Sequence, residues 1–470
     1  MTGQPAEPGE EKRSAANVPL MWPLGAAFVA TILGFAIWAA YTGRGAFTSL
    51  RVGYGSDSVF YIHAARAPVW TWRFLATPNG GPFLFLVLAK LCLRNLRAIV
   101  LVQSALAAGA WLFLAHTVAT LLHRRWLRLT AFAVMLLVGL SPSVIVWNAT
   151  IATEALALSL LVVAIALSLR VATGAGPKSF AALLAVLVAL ACTRDTNDLL
   201  LLLIAVPVAV VALARPSVRR RALVLVVVCV VAGGVNLGLA AKAQRWYHPL
   251  TETIALRVLG SETATDYFVA HGMPYDQPVR DLHSNYLGNL WDVYTGARFQ
   301  TFDRWVLDHG RSTYAHFLAS HPGWTFGKPF ADRKRVLAPA LPYGVLYHDN
   351  PQGGFRVIGA IAFPGNLVLV EVWIGAALVA AVALWRRRRR RSALIAIGAS
   401  ALLVVAGFLA AWHGDALEIE RHSLGAAVQL RLVLWVVTLL AADAGLGRSR
   451  PSGEAPSVEV VPEPQPHEHQ

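Results

Sequence analysis

Long apolar runs separated by short polar loops dominate the chain. A helix needs an apolar run of about 20 residues to cross the hydrocarbon core of a membrane. The pattern predicts about ten such helices, at residues 20–41, 98–122, 129–147, 154–172, 179–194, 199–214, 222–241, 366–385, 393–412 and 424–443. We therefore expect an all-α integral membrane protein that crosses the bilayer many times.

Two polar segments interrupt this pattern. The first external loop, residues 42–97, includes an apolar stretch from Pro82 to Arg94 that is too short to span and predicts an amphipathic helix in the membrane interface. The second segment, residues 242–365, is rich in Trp, Tyr, His and Asp and predicts a mainly helical extracytoplasmic domain. The two tails, residues 1–18 and 444–470, have the composition of disordered segments.

The distribution of charge supports this topology. Hydrophobic residues make up 56% of the 470 residues and charged residues 14%, whereas a soluble domain has about 25% charged residues. Lys and Arg concentrate in cytoplasmic loops. With both termini in the cytoplasm, every predicted cytoplasmic loop is basic, as shown by Arg124, Arg125, Arg128, Arg170, Lys178, Arg215, Arg219 to Arg221 and Arg386 to Arg391. The net charge of +15 thus indicates membrane topology and not nucleic-acid binding.

The first external loop is basic as well, against this rule. We expect some of its cations to bind an anionic ligand or lipid headgroups. The residues are Arg44, Arg51, Arg66, Arg73, Lys90, Arg94 and Arg97. The high content of Ala, Val, Leu and Arg is typical of a GC-rich bacterium, which predicts a bacterial plasma membrane. Three cysteines without a CxxC spacing support neither a disulfide framework nor a zinc site.

Acidic residues near the membrane lie at the predicted external ends of the helices. Asp57 follows the first span, Glu154 opens the fourth, and Asp195 lies between the fifth and sixth. Glu420-Arg421-His422 precedes the last span. Ionisable residues at membrane depth are costly and usually mark functional sites. Their occurrence on one face predicts a single polar cavity that opens to the outside.

Each of these residues also has a structural interpretation. Asp57 could cap the helix that follows it, and Glu154 is a favourable first-turn carboxylate. Arg194 and Asp195 could form a local ion pair. Arg421 could be an interfacial anchor. The functional interpretation requires that these side chains share one site.

The order of these motifs resembles the GT-C superfamily of polytopic glycosyltransferases, which includes protein mannosyltransferases and aminoarabinose transferases. Asp57 and Tyr61 are similar to the Asp that recurs in the first external loop of that group, followed by Tyr. Glu420-Arg421-His422 resembles the Glu-Arg-Tyr before a late helix, and His321-Pro322 resembles a His/Asn-Pro in the external domain. In that group the Asp occurs as Asp-Glu, as Asp-x-Asp or as a lone Asp followed by Tyr, and Asp57 with Tyr61 fits the last form. Without a second acid beside Asp57 a divalent metal is possible but not supported, and the cofactor is unknown.

The resemblance implies transfer of a sugar from a polyprenyl-phosphate donor to a cell-envelope acceptor. Asp57 would be the general base, because a carboxylate can accept the proton of an attacking hydroxyl. Arg194 and Arg421 would bind the donor phosphate, with Arg66 and Arg73 as further candidates. The other substrate-binding candidates are Tyr61, Glu154, Asp195 and His422. The partners expected are the lipid donor and membrane lipids, and no nucleic acid.

Two other functions fit the same composition. A transporter would show inverted repeats and broken helices near the membrane midplane, and no half-to-half similarity is evident. A non-catalytic GT-C-like scaffold of envelope assembly would keep the fold without the activity. Sugar transfer separates an enzyme from a scaffold, and accumulation in sealed vesicles identifies a transporter.

Overall fold

The computed structural model describes residues 18–42, 57–75, 83–214, 218–337, 353–387 and 390–446, and these ranges contain helices but no strand. The helices of the first half are α1 (Val18–Thr42), α2 (Asp57–Ala65), α3 (Trp72–Leu75), α4 (Phe83–Leu91), α5 (Arg97–Thr120), α6 (Arg125–Gly139), α7 (Pro142–Asn148), α8 (Thr153–Ala172), α9 (Pro177–Ala191), α10 (Asp195–Ala214) and α11 (Arg219–Lys242).

The second half begins with short helices and ends with long ones. They are α12 (Tyr247–Thr253), α13 (Glu262–Ala270), α14 (Gln277–Asn285), α15 (Leu290–Thr295), α16 (Gln300–Trp305), α17 (Arg311–Ser320), α18 (Pro322–Ala331), α19 (Lys334–Leu337), α20 (Gly353–Ala362), α21 (Leu367–Trp385), α22 (Arg391–Gly414), α23 (Ile419–His422) and α24 (Leu424–Leu446). Segments Ile254–Val258 and Val306–Gly310 are π-helical, and Leu287–Asn289 and Ala297–Phe299 are 3₁₀ turns.

Seven helices in the described part of the chain are long and apolar enough to cross a membrane: α1, α5, α8, α11, α21, α22 and α24. The predicted span 129–147 is a bent pair, α6 and α7, with an angle of 61° between them. Pro142 begins α7, and proline cannot continue the hydrogen-bond ladder of a preceding helix. The predicted span 179–194 is the shorter apolar helix α9, and 199–214 falls within α10, which is not among the seven. The chain is therefore an all-α, multi-pass membrane protein, and the total of ten spans stays a prediction.

The last helix, α24, lies at the centre of the helix bundle. It packs against α6, α21 and α22, and α5 packs against α1, α6 and α8. Of the seven membrane helices, α24 is the most buried by its neighbours. This arrangement brings the N-terminal end of α8 close to the segment that precedes α24, although more than 250 residues separate them along the chain.

Opposite that end, a buried carboxylate joins three segments of the chain. Asp443 accepts hydrogen bonds from the backbone N–H groups of His123 (3.1 Å) and Arg124 (3.2 Å). It also binds the His123 ring at 3.0 Å and the guanidinium of Arg390. The carboxylate thereby fixes the loop between α5 and α6 and the start of α22 onto the end of α24. We call the membrane face that carries these basic loops the basic face.

Helix α20 packs against α6 and α7, so the end of the predicted external segment 242–365 lies against the membrane helices. Two side chains of α24 donate hydrogen bonds to backbone carbonyl groups at the C-terminal end of α20. Trp435 donates to the carbonyl of Ala362 at 3.0 Å, and the fully buried Arg431 donates to that of Pro364 at 2.7 Å. A cation at a helix C-terminus is favourable because the helix dipole is negative there.

The helices from Tyr247 to Ala331 form a domain with a hydrophobic core of its own. Phe268, Phe299, Phe302 and Phe317 are buried at its centre. Asp276 caps α14 by accepting a hydrogen bond from the backbone of Val279 at 3.3 Å. The described part of segment 242–365 is thus mainly helical, and its bounds as a domain and its side of the membrane stay predictions.

Acid is expected to destabilise this domain through His248. Its ring lies 4.3 Å from that of Tyr294, and burial lowers the pKa of His248 below its ordinary value. Below a pH of about 6.5 the unfolded chain binds a proton that the folded chain excludes. Stability should therefore fall as the pH drops from 7.5 to 5, and in His248→Gln the fall in melting temperature should be smaller. The exposed His316 supplies the control, since His316→Gln should behave as wild type. An equal fall in melting temperature for wild type, His248→Gln and His316→Gln would contradict this role of His248.

Candidate functional site

A buried ion pair forms the centre of the candidate site. Glu154 lies in the first turn of α8 and is 1% exposed. Its Oε1 accepts a hydrogen bond from Nε of Arg421 and lies 3.5 Å from Nη1 of Arg194. Arg421 also lies 5.9 Å from the ring of Trp147 and donates from Nη1 to Glu418 at 2.7 Å. Two cations thus converge on one carboxylate at the end of the bundle remote from Asp443.

A second chain of hydrogen bonds extends this centre. Nη2 of Arg194 donates to Nδ1 of His422 at 2.8 Å, and Nε2 of His422 lies 3.0 Å from Oδ2 of Asp415. Because a guanidinium can only donate, Nδ1 accepts and the ring proton sits on Nε2, directed at Asp415. Arg194 is therefore held between Glu154 and His422. We call the group formed by Glu154, Arg194, Asp415, Glu418, Arg421 and His422 the ion cluster, and its side of the membrane the site face.

Asp415 is the acidic end of the ion cluster. Its Oδ1 accepts hydrogen bonds from the backbone N–H groups of Leu417 and Glu418, both at 2.8 Å. Burial by itself would raise the pKa of Asp415, but His422 and these two N–H groups stabilise the carboxylate and hold the pKa below its ordinary value. Asp415 is thus ionised at neutral pH and orients the His422 ring.

The start of α2 lies beside the ion cluster. Ser58 is buried and its hydroxyl donates to the carbonyl of Ile151 at 2.6 Å, three residues before Glu154. Gln103 of α5 donates to the carbonyl of Thr150 at 2.7 Å and fixes the same loop. The backbone of Asp57 begins α2, next to Ser58, while its side chain lies outside the described residues. The structure therefore brings the segment that carries Asp57 to the segment that carries Glu154.

The remaining predicted residues have contacts with residues outside the ion cluster. Asp195, next to Arg194, pairs with Arg245 at 2.9 Å, so Arg194 and Asp195 do not form the local pair considered above. Tyr61 is buried, with its ring packed edge-on against Phe85 at 5.2 Å. A substrate-binding role for either residue stays a prediction.

Two cations of segment 42–97 have structural partners. Lys90 of α4 donates to the carbonyls of Ala65 (3.1 Å) and Ala67 (2.8 Å), at the C-terminal end of α2. The ring of Tyr41 lies 4.8 Å from the guanidinium of Arg97. These contacts account for two of the basic residues that the topology rule left unexplained. The side chain of Arg73 and the residues Arg44 and Arg51 lie outside the described part.

The helical domain that begins at Tyr247 supplies a contact that the sequence did not indicate. Arg257, in the π-helical segment 254–258, donates to the backbone carbonyl of Asp415 at 2.7 Å and lies 4.0 Å from the ring of Trp412. Burial lowers the pKa of Arg257 to about 10, so the guanidinium is still charged at neutral pH. Nothing in the spacing around Arg257 distinguishes it from other arginines of that domain, and only the fold places it beside Asp415.

An apolar cavity of about 500 Å³ lies close to the ion cluster. Its walls come from α9 and α11, with Leu75 and Phe83 of the first external segment. Cys192 and Asn236 line it at the site face, and Cys192 lies two residues before Arg194. The carbonyl of Cys192 accepts a hydrogen bond from the backbone of Leu84 at 2.9 Å, which fixes α4 to this edge. We call this cavity the apolar groove.

No protein-family model matches the chain, and no curated protein matches it. The described residues contain no group of three or more His, Cys, Asp or Glu side chains placed to hold a metal ion. The site is therefore defined by the ion cluster, the start of α2 and the apolar groove.

Proposed function

We propose that this protein is a membrane glycosyltransferase that moves a sugar from a polyprenyl-phosphate donor to a cell-envelope acceptor. The observation that carries the proposal is the position of the ion cluster beside a long apolar groove. A polyprenyl-phosphate sugar has the same two parts, a polar headgroup and an apolar chain. The GT-C resemblance of the sequence implies the same substrate class.

The apolar groove suits the chain of such a donor. Its residues on α11 run from Val227 to Leu239, which is about 18 Å of helix at 1.5 Å per residue. Burying isoprenoid units against aliphatic side chains contributes about 25 cal/mol per Å² of apolar surface removed from water. A chain in the groove would have its phosphate near Cys192, at the edge next to Arg194.

The ion cluster suits the headgroup. Glu154 holds Arg194 and Arg421 in fixed positions, so their donors are ordered before a ligand arrives. Their side chains are 12% and 8% exposed, which keeps the electrostatic attraction for a phosphate unscreened by bulk water. In this proposal Glu154 and His422 position the two cations and do not take part in bond making.

The chemistry needs one base and one leaving group. The acceptor oxygen attacks the anomeric carbon, the bond from that carbon to the phosphate oxygen breaks, and the electron pair leaves with the polyprenyl phosphate. The acceptor proton passes to the carboxylate of Asp57, which acts as general base. Arg194 and Arg421 stabilise the negative charge on the departing phosphate.

Release of polyprenyl phosphate tests this function without knowledge of the sugar or the acceptor. Purified full-length protein would be incubated with a panel of short-chain polyprenyl-phosphate pentoses and hexoses and with an envelope extract as acceptor. We expect release from one donor class together with transfer of its sugar to the extract. Concentration of the intact sugar in sealed vesicles, without release, would instead identify a transporter. Donor binding without either reaction would identify a scaffold.

A further inference from the structure

A second cavity lies at the basic face, remote from the ion cluster. It has a volume of about 190 Å³, room for about six water molecules at roughly 30 Å³ each. It opens between the C-terminal ends of α5 and α8. Its walls are His116, Thr117, Thr120, Arg170, Thr173 and Ala175. Unlike the apolar groove, this cavity is lined mainly by polar side chains, so it is suited to a polar ligand.

The charge of this cavity is unbalanced. Arg170 contacts the ring of Phe113 at 5.5 Å, and no ion pair to Arg170 is present in the described ranges. From Ser58 to Arg194 the sequence contains one acidic residue, Glu154. Glu154 lies at the other end of α8, about 24 Å from Arg170 at 1.5 Å per residue. Asp443, an acid of the basic face, is already bound by His123 and Arg390. Among the described residues, the cavity therefore offers a cation without a counter-ion.

Hydroxyl groups complete the polar lining. The Thr117 hydroxyl is buried and has no hydrogen-bond partner among the described residues. The hydroxyls of Thr120 and Thr173 donate to the carbonyls of Thr117 (2.7 Å) and Leu169 (2.8 Å). Their oxygen lone pairs can therefore accept hydrogen bonds from a ligand that carries hydroxyl groups of its own.

We propose that this cavity is a second binding site, for a phosphate group held by Arg170. Basic pockets between membrane helices are the usual receptors of anionic headgroups. A guanidinium matches two phosphate oxygens at once. The volume admits a phosphate with a few further heavy atoms, such as the glycerol of a phosphatidylglycerol headgroup. A lipid of the leaflet at the basic face and a free phosphate are the two sources of this chemistry.

Native mass spectrometry of the full-length protein with added phosphatidylglycerol tests the site. We expect wild type to retain one lipid more strongly than the rest. Arg170→Gln should weaken this binding about tenfold or more, the effect of losing one charge-assisted hydrogen bond. Arg220→Gln removes the same charge from a position of the basic face that does not line the cavity, and it should bind within about twofold of wild type because Arg220 does not contact the ligand.

A second variant separates lost binding from lost folding. Thr120 is exposed, so Thr120→Glu places a carboxylate on the cavity wall with little effect on packing. It should also weaken binding about tenfold, because a like charge repels phosphate, while the melting temperature of the free protein stays near that of wild type.

Inorganic phosphate distinguishes the two sources. If the ligand is a lipid headgroup, millimolar phosphate leaves the retained lipid in place. If phosphate alone suffices, it raises the melting temperature and displaces the lipid, and Arg170→Gln abolishes both effects. The proposal is overturned if binding of both ligands is the same in wild type and Thr120→Glu, or if Arg170→Gln and Arg220→Gln weaken it equally.

Discussion

Asp57→Asn is expected to lower sugar transfer about 100-fold or more, because general-base catalysis by a positioned carboxylate contributes on that scale. An amide cannot accept the proton of the attacking hydroxyl. Asn is otherwise close to Asp in size and also favours the start of a helix, so α2 should still form. The rate of polyprenyl-phosphate release and the melting temperature would be measured on the same preparation.

The control for this variant is an acid remote from the ion cluster. Asp292 forms an exposed ion pair with Arg298 at 2.6 Å in the helical domain that begins at Tyr247. Asp292→Asn should leave the rate within about twofold of wild type, since exposed ion pairs contribute little. Near-normal transfer by Asp57→Asn would remove Asp57 from the mechanism, and an equal loss in both variants would point to a general defect.

Glu154→Gln is expected to lower the free energy of unfolding by about 3 kcal/mol or more, as when one partner of a buried ion pair is removed. The change leaves Arg194 and Arg421 beside a neutral amide in a site nearly closed to water. Equilibrium unfolding of the detergent-solubilised protein measures the loss. Transfer should fall as well, because the two cations lose the group that positions them.

Glu418 offers a matched comparison, because it binds the same arginine from a more exposed position. Its side chain is 41% exposed and lies 2.7 Å from Nη1 of Arg421. Glu418→Gln should cost less than about 1 kcal/mol, the range of exposed ion pairs. Equal losses in the two variants would show that burial of Glu154 does not give the ion cluster its stability.

The sequence predicted the fold class and the long-range meeting of several polar residues. Apolar runs of sufficient length can satisfy their backbone groups in a membrane only as helices, so α1, α5 and α8 were predictable. Glu154, Arg194, Arg421 and His422 meet in the structure because each lies beside the end of an apolar helix on the same side of the bundle. Because successive helices run in opposite directions, residues far apart in the chain lie on the same side of the bundle.

Features that depend on packing could not be predicted. The position of α20 against α6 follows from the neighbours of these helices, and no local signal marks it. Lys90 and Arg97 were among the cations that the topology rule left unexplained, because that rule takes no account of aromatic rings and helix ends. The contact of Arg257 with Asp415 joins two domains, and a hydropathy pattern cannot predict such a contact.

Photocrosslinking of a bound donor tests most directly whether the ion cluster and the apolar groove form one site. The probe is a polyprenyl-phosphate sugar with a diazirine on its isoprenoid chain, used with the full-length protein and mapped by peptide sequencing. We predict crosslinks on residues 227–239 of α11 and on α9 near Val188, all removed by excess unlabelled donor. Crosslinks spread over lipid-facing positions such as Val368 and Leu402, and unchanged by the competitor, would contradict the account.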